Sequence, residues 1–403
     1  MDLRYTHPAD DVILAGSHAI VAGEALPLPV HLDRVELFLA NILDIQDVYG
    51  RSVARGVVEA LVDRLERFIG HRHAQIAGEP NTGRISIVSH EGRSGLDQLL
   101  VGAVSAAALA PVSIDGTEIV ASLAFGGVVR NSPQRIATRS TAEYRANMAA
   151  AVAAHAALLD GQLRFVEQAV SSSGCDAAQL YRERLARIGT VAGQTIMPAA
   201  FLPALERLEL TRAFDALVVG LTIEELRRRP DAVLGCNISA LSVAFDGWWY
   251  LILSELGADR SLAQRLVIEI TETAQVPDEV SAGRLLEALR ACGCRIALDD
   301  FGEGHSSIAR ARWMRPDIIK IDRSFIASSQ DGSAPYAFLR RLVGLADILA
   351  PVVVVEGVDC QSGLESARLA AARWVQGFFV GEPMRPADGQ RKSLPDDAGR
   401  KPS

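Results

Sequence analysis

Short, strongly apolar runs recur through the C-terminal part of the chain. They cover residues 232–238, 265–270, 295–300, 316–321, 351–357 and 374–379, with shorter segments at 168–170 and 181–188. Runs of this length, rich in Val and Ile, predict fully buried parallel strands. Between them the apolar period lengthens to that of a helix. Residues 282–292 place Leu285, Leu286 and Leu289 on one face, and Gly293 stands where a helix C-cap is expected. Strand and helix alternate over about 230 residues, which predicts a (β/α)8 barrel of the TIM type.

The first 155 residues are patterned differently. Residues 51–69 read as an amphipathic helix, with Val53, Val57, Val58, Leu61, Val62, Leu65 and Phe68 along one stripe. Apolar runs at 35–42, 85–88 and 119–124 predict strands. An Ala-rich helix over 142–159 leads toward the barrel. A separate, smaller α/β domain is expected here.

The polar residues interrupting the C-terminal strands carry the chemistry. Asp299 and Asp300 end the run 295–300 and lead into Phe301-Gly-Glu-Gly-His-Ser-Ser307. Two adjacent carboxylates at the tip of a buried strand repel each other and lose hydration, a costly arrangement unless a cation lies between them. Other strands carry Gln168, Glu183, Arg187, Asn237, Glu269, Lys320, Glu356 and Gln376. Singly, each reads as a cap, a loop hydrogen bond or a surface charge. In a barrel the ends of different strands converge on one mouth, which would gather them. Asp, Glu and Asn oxygens suit Mg²⁺ or Mn²⁺ rather than zinc. Two such ions a few ångströms apart clamp a phosphodiester and activate water.

With these motifs in place, the segment from about residue 161 to 383 resembles an EAL-type cyclic di-GMP phosphodiesterase domain. The family's Glu-Ala-Leu stands as Glu183-Arg184-Leu185, followed by Arg187. Its Asn-x-Ser is Asn237-Ile-Ser239, and its Glu-x-Thr-Glu is Glu269-Ile-Thr-Glu272. Its Asp-Asp-Phe-Gly-x-Gly-x-Ser-Ser runs intact from Asp299 to Ser307. Ile319 to Asp322, Glu356 to Val358, and Gln376-Gly377 complete the set.

The resemblance implies that Glu183, Asn237, Glu269 and Asp299 hold a first metal. It makes Asp299 a bridge and assigns Asp300 to a second metal, either ion being Mg²⁺ or Mn²⁺. Glu356 and Lys320 would orient or deprotonate the attacking water. Arg187 and Gln168 would grip a phosphate or a guanine edge. Gln376 would support the site, and Glu272 would brace the loop after Asp300. The implied reaction is hydrolysis of cyclic di-GMP to linear pGpG, and the implied assembly is a homodimer through the barrel. A non-catalytic cyclic di-GMP receptor acting through a protein partner is the alternative.

Departures fall at Arg184, in place of the motif's Ala, and at Glu303 and His305 in the loop. On a strand, Arg184 points away from the Glu183 face, so tolerance is expected there. The loop residues add charge near the metals and bear on rate.

The N-terminal part is similar to a degenerate diguanylate cyclase (GGDEF) domain. Ala40 stands where that family keeps a metal-binding Asp, and Gln46 where it keeps a guanine-binding Asn. The signature turn falls near residues 77–81, Ala-Gly-Glu-Pro-Asn, without the signature. An ordinary α/β interaction domain remains the alternative. The expected layout is therefore 1–155 for this domain, 156–384 for the barrel and 385–403 for a disordered tail.

Composition narrows the picture further. A chain of 403 residues with 49% apolar content has material for two cores. Its net charge of −8 argues against DNA as a partner, because duplex affinity comes from clustered Lys and Arg. Five cysteines without paired metal spacing fit a reducing cytoplasm. The polar start Met1-Asp-Leu-Arg and the lack of any span-length apolar stretch fit the same location. A signalling partner would be expected at the N-terminal domain.

Overall fold

The computed structural model describes residues 34–71, 73–90, 96–126, 140–174, 178–189, 195–271, 275–302, 307–327 and 335–386. The expected tail from 387 onward, Glu272, Glu303 and His305 lie outside the described residues.

The N-terminal unit begins with β1 (Arg34–Leu39), α1 (Ile42–Tyr49) and α2 (Arg51–Ile69). The hairpin β2 (Ala74–Glu79) and β3 (Arg84–Ser89) follows, then α3 (Leu96–Leu109). The short strands β4 (Val112–Ile114), β5 (Thr117–Ile119) and β6 (Leu123–Phe125) close the unit. Its main sheet has the order β2-β3-β1-β6, antiparallel throughout. Helix α2 buries Ala54, Val57, Val58, Leu61, Leu65 and Ile69, a stripe at helical spacing. Phe68, expected on that stripe, is exposed, because Ile69 continues the i, i+4 row from Leu65 and Phe68 falls beside it.

The strand expected over 119–124 is broken in two. Asn41 causes the break: its side-chain Nδ2 donates to Val120 O (3.1 Å), and its Oδ1 accepts from Ser122 N (3.0 Å). These bonds take backbone groups that a continuous ladder would have used. Of the turn expected near residues 77–81, residues 77–79 belong to β2, and the hairpin turns over residues 80–83.

Helix α4 (Thr141–Leu159) runs through the expected boundary at 155/156. Ser140 caps it by accepting from Glu143 N. The helix packs on α3 and on α5 (Pro198–Arg207), so it contacts both units. His155, fully buried on α4, donates from Nδ1 to Leu109 O at the end of α3 (2.9 Å). The units also meet where Phe125 packs edge-on against Trp248, with ring centroids 5.6 Å apart. Trp248 Nε1 donates to Leu123 O (3.2 Å), and Ser122 Oγ donates to Glu209 O (2.6 Å). One continuous apolar core results.

The C-terminal unit is a closed eight-stranded barrel. Its strands are β7 (Leu163–Ser172), β8 (Gln179–Gly189), β10 (Leu234–Ile238), β11 (Leu266–Ile270), β12 (Arg295–Phe301), β13 (Ile318–Ile321), β14 (Val352–Val355) and β15 (Trp374–Val375). A short β9 (Thr195–Ile196) flanks β8, and the pairing of β8 with β10 closes the ring. Outside lie α5, α6 (Thr211–Arg228), α7 (Gly247–Ala258), α8 (Glu279–Cys292), α9 (Ser307–Met314), α10 (Pro335–Leu349) and α11 (Gln361–Leu369). Gly293 ends α8 in the left-handed conformation, φ +113°, as its position predicts. The basic run Arg227–Arg229 ends α6.

One expectation of the sequence is corrected. The strand carrying Gln168 is antiparallel to both its neighbours, β8 and β15. Only 6 residues separate β7 from β8, too few for a helical crossover, so this connection is hairpin-like. Among the described residues no helix is long and apolar enough to cross a membrane.

Candidate active site

The barrel interior is built in two layers by strand alternation. Side chains two residues apart share a face. A lower plug consists of Val170, Tyr181, Val267, Ala297, Ile318 and Val354, packed together. Two residues toward the mouth on those strands stand Gln168, Glu183, Glu269, Asp299, Lys320 and Glu356. On the antiparallel β7 the polar residue precedes its apolar mate; on the others it follows. Gln376 stands likewise two residues beyond Trp374. The plug excludes water from below, and the polar layer opens at the strand ends.

Lys320 is the hub of this layer and is 1% exposed. Its Nζ lies 2.8 Å from Glu269 Oε2, 2.8 Å from Glu356 Oε1, 3.1 Å from Asp299 Oδ1 and 3.2 Å from Glu183 Oε2. Burial alone would drive the ammonium toward neutrality, but the surrounding carboxylates hold its pKa well above the ordinary value. Glu183 is also raised by burial. Lys320, with amide donors from Gln376 and Asn237, more than offsets this and holds it below the usual range. Glu269 is pushed up to about 8 by burial, against the pull of Lys320. Burial likewise raises Asp299, and raises Glu356 strongly.

Asp299 and Asp300 face the mouth together for a reason alternation alone does not supply. In a regular strand their side chains would point to opposite faces. The register of β12 against β13 shifts between Leu298 and Phe301, and Asp300 adopts a left-handed φ of +55°. A bulge of this kind re-aims a side chain, and Asp tolerates the conformation better than most residues. Asp300 N turns back onto Asp299 Oδ1 (3.1 Å).

Two carboxylate triads result: Glu183, Glu269 and Asp299, and Asp299, Asp300 and Glu356. In each, one oxygen per residue lies within 4.8 Å of the others, and Asp299 is shared. Asn237 donates to Glu183 Oε1, leaving its Oδ1 buried and unpaired among the described residues; Glu269 Oε1 is in the same condition. Four carboxylates around one ammonium, with Asp300 beside them and two orphaned buried oxygens, are a donor set with the hard, anionic character that a divalent cation fits.

The rest of the set lies around this centre. Gln376 Nε2 donates to Glu183 Oε2 and to Gln168 Oε1 (3.3 Å), and Gln168 Nε2 donates to Gly381 O (3.0 Å). Arg187 lies on the Glu183 face of β8, four residues nearer the mouth and half-buried. Behind Asn237, Asp215 of α6 accepts from Ser239 N (2.9 Å) and Ser242 Oγ (2.6 Å), fixing the loop that leaves β10. Arg184 points outward as expected. It stacks 3.9 Å over the Phe165 ring and donates to Leu221 O (2.9 Å) and Thr222 Oγ1 (3.1 Å).

Two further residues of the site belong to none of the sequence motifs. Tyr181 donates its hydroxyl to Glu269 Oε2 (3.2 Å), burial keeping the phenol well above its usual pKa. Gly235 leaves space for that carboxylate. The available signals were Tyr181 two residues before Glu183, and a glycine inside a buried strand, which marks close approach.

A barrel with an acidic, cation-ready mouth belongs to a defined group. The family model of the EAL domain matches residues 151–383, so the chain belongs to the EAL domain family. The cyclic di-GMP phosphodiesterase PdeF of Escherichia coli K12 is 29% identical over 208 residues, which make up 51% of this chain and 28% of that protein. The chain thus spans only a little over a quarter of that relative. The FimX EAL domain of Pseudomonas aeruginosa, solved bound to c-di-GMP, is 25% identical. It covers 57% of this chain and 93% of its own, with a TM-score of 0.51. A Vibrio cholerae LapD structure comprising S helix, GGDEF and EAL parts is 19% identical. It covers 86% of this chain and 89% of its own, with a TM-score of 0.52, a likeness of fold that extends into the N-terminal unit.

Proposed function

We propose that this chain binds cyclic di-GMP at the barrel mouth and hydrolyses it to linear pGpG with divalent metal. The observation that carries this is the pair of carboxylate triads sharing Asp299 around Lys320. Glu183, Asn237, Glu269 and Asp299 would hold one Mg²⁺ or Mn²⁺, and Asp299 with Asp300 a second. Such ions supply Lewis acidity toward phosphoryl oxygens and lower the pKa of water.

The chain's own groups do the rest. Lys320, held cationic, orients a water instead of deprotonating it. Glu356, 2.8 Å from the Lys320 ammonium and beside Asp299 and Asp300, accepts the proton. Arg187 meets the phosphate or guanine edge at the rim. Gln168 and Gln376 act as a linked pair of amides, presenting polar edges and fixing Glu183. Glu272 completes the proposal as a brace for the loop after Asp300. A homodimer through the barrel is the assembly this reading favours, and the exposed Tyr336, Phe338 and Ile348 on α10 offer apolar surface for one.

The N-terminal unit is read as a degenerate GGDEF domain with a regulatory or partner-binding role. Support comes from the fold likeness and from Ala40 and the β2–β3 turn, which lack the carboxylates that Mg²⁺–GTP chemistry needs.

The test is chromatography of purified protein incubated with cyclic di-GMP and Mg²⁺ or Mn²⁺. pGpG is expected. Glu356→Gln should cut its formation by roughly 10² or more while nucleotide binding persists. Binding without any pGpG from the native chain would refute the enzymatic reading and favour a receptor.

A further inference from the structure

The floor beneath Glu269 is built from Tyr181 and Gly235. Glu269 is fully buried, and its two oxygens differ in surroundings. Oε2 takes the Tyr181 hydroxyl at 3.2 Å and the Lys320 ammonium at 2.8 Å. Oε1 takes no donor among the described residues. It lies over Gly235: a Cβ there would stand 2.2 Å from Oε1 and 2.7 Å from Tyr181 Cε2. A methyl group cannot share that space with either atom.

The ring of Tyr181 and the bare backbone of Gly235 therefore form one cradle. The cradle receives the carboxylate in a single rotation. An unpaired, buried carboxylate oxygen is costly to keep, and a cation is the partner that would offset the cost.

We infer that Tyr181 is a positioning residue for Glu269: its hydroxyl fixes Oε2, and with Gly235 it leaves Oε1 open for a divalent cation. This rests on the metal-dependent reading above. It assigns to Tyr181 a role beyond filling the barrel floor, since a phenylalanine would fill it equally well.

Titration calorimetry of the full chain with Mn²⁺, beside turnover of cyclic di-GMP, tests it. Tyr181→Phe keeps the ring and removes the hydroxyl. Its Mn²⁺ affinity should fall about ten-fold or more. Its kcat should fall with it, while KM for cyclic di-GMP and the unfolding midpoint in EDTA stay near native. Tyr181→Ala should lose both metal affinity and stability. Native affinity in Tyr181→Phe, with loss confined to Tyr181→Ala, would reduce Tyr181 to packing and overturn the inference. A native chain that binds Mn²⁺ yet makes no pGpG refutes only the enzymatic reading, and a weaker Tyr181→Phe still supports the cradle. A native chain that binds no Mn²⁺ overturns both.

Discussion

Replacing Lys320 by Met tests the electrostatics of the barrel mouth most directly. The ammonium lies 2.8–3.2 Å from four carboxylates and is almost fully buried. Removing one partner of a buried ion pair costs about 3–5 kcal/mol, because the other charge is left uncompensated. Proton uptake limits the loss here, since burial pushes Glu269 up to about 8 and also raises Asp299 and Glu356. Unfolding entropy of roughly 2.1 cal/mol/K per residue gives about 0.85 kcal/mol/K for a chain of 403 residues. The expected fall in melting midpoint in EDTA near neutral pH is therefore about 4–6 °C. Scanning calorimetry measures it. Saturating Mn²⁺ should narrow the gap, because cations then neutralise the carboxylates that Lys320 had faced. Turnover of cyclic di-GMP should be lost even at temperatures where the variant remains folded. An unchanged midpoint in EDTA would refute the view that Lys320 balances the carboxyl groups converging on it.

Three other outcomes follow from the same geometry. Gly235→Ala places a methyl 2.2 Å from Glu269 Oε1, so stability should fall by about 1–3 kcal/mol and Mn²⁺ affinity should drop, as titration calorimetry would read; native affinity would contradict the cradle. His155 has its pKa lowered to about 4 from 6.5 by burial, against the Leu109 carbonyl that favours the charged form. Below pH 6.5 the unfolded chain binds a proton that the folded one refuses. Stability therefore falls as pH drops from 6.5 toward 4, by about 3 kcal/mol from this group. His155→Gln should remove that part of the acid slope in denaturant titrations, and an identical slope would exclude the assignment. Mg²⁺ or Mn²⁺ should support turnover whereas Ca²⁺ occupies the site without supporting it, its larger and looser shell misplacing the water; equal rates in Ca²⁺ or EDTA would contradict a two-metal site.

The periodicity of the chain carried its architecture. Parallel strands buried on both faces read as continuous apolar runs, so β10 to β15 were visible, and so were α2, α4 and α8 with its Gly293 cap. The motif residues were visible for a related reason: a polar residue ending a buried strand has few structural uses, and the recurrence from Glu183 to Gln376 stood out. Arg184 was correctly read as facing outward, because alternation is a local property.

What required the tertiary structure was long-range. The reversed direction of β7 depends on how the barrel closes, and the break before β6 depends on Asn41, far away in sequence. The shared facing of Asp299 and Asp300 depends on a bulge and a left-handed Asp300, which alternation predicts against. The hub role of Lys320 and the cradle of Tyr181 and Gly235 arise only when three or more strands bring their residues together. Where the strand is regular, local pattern fixes which face a residue occupies; packing decides which other charges share that face, and those neighbours set its protonation and its chemistry.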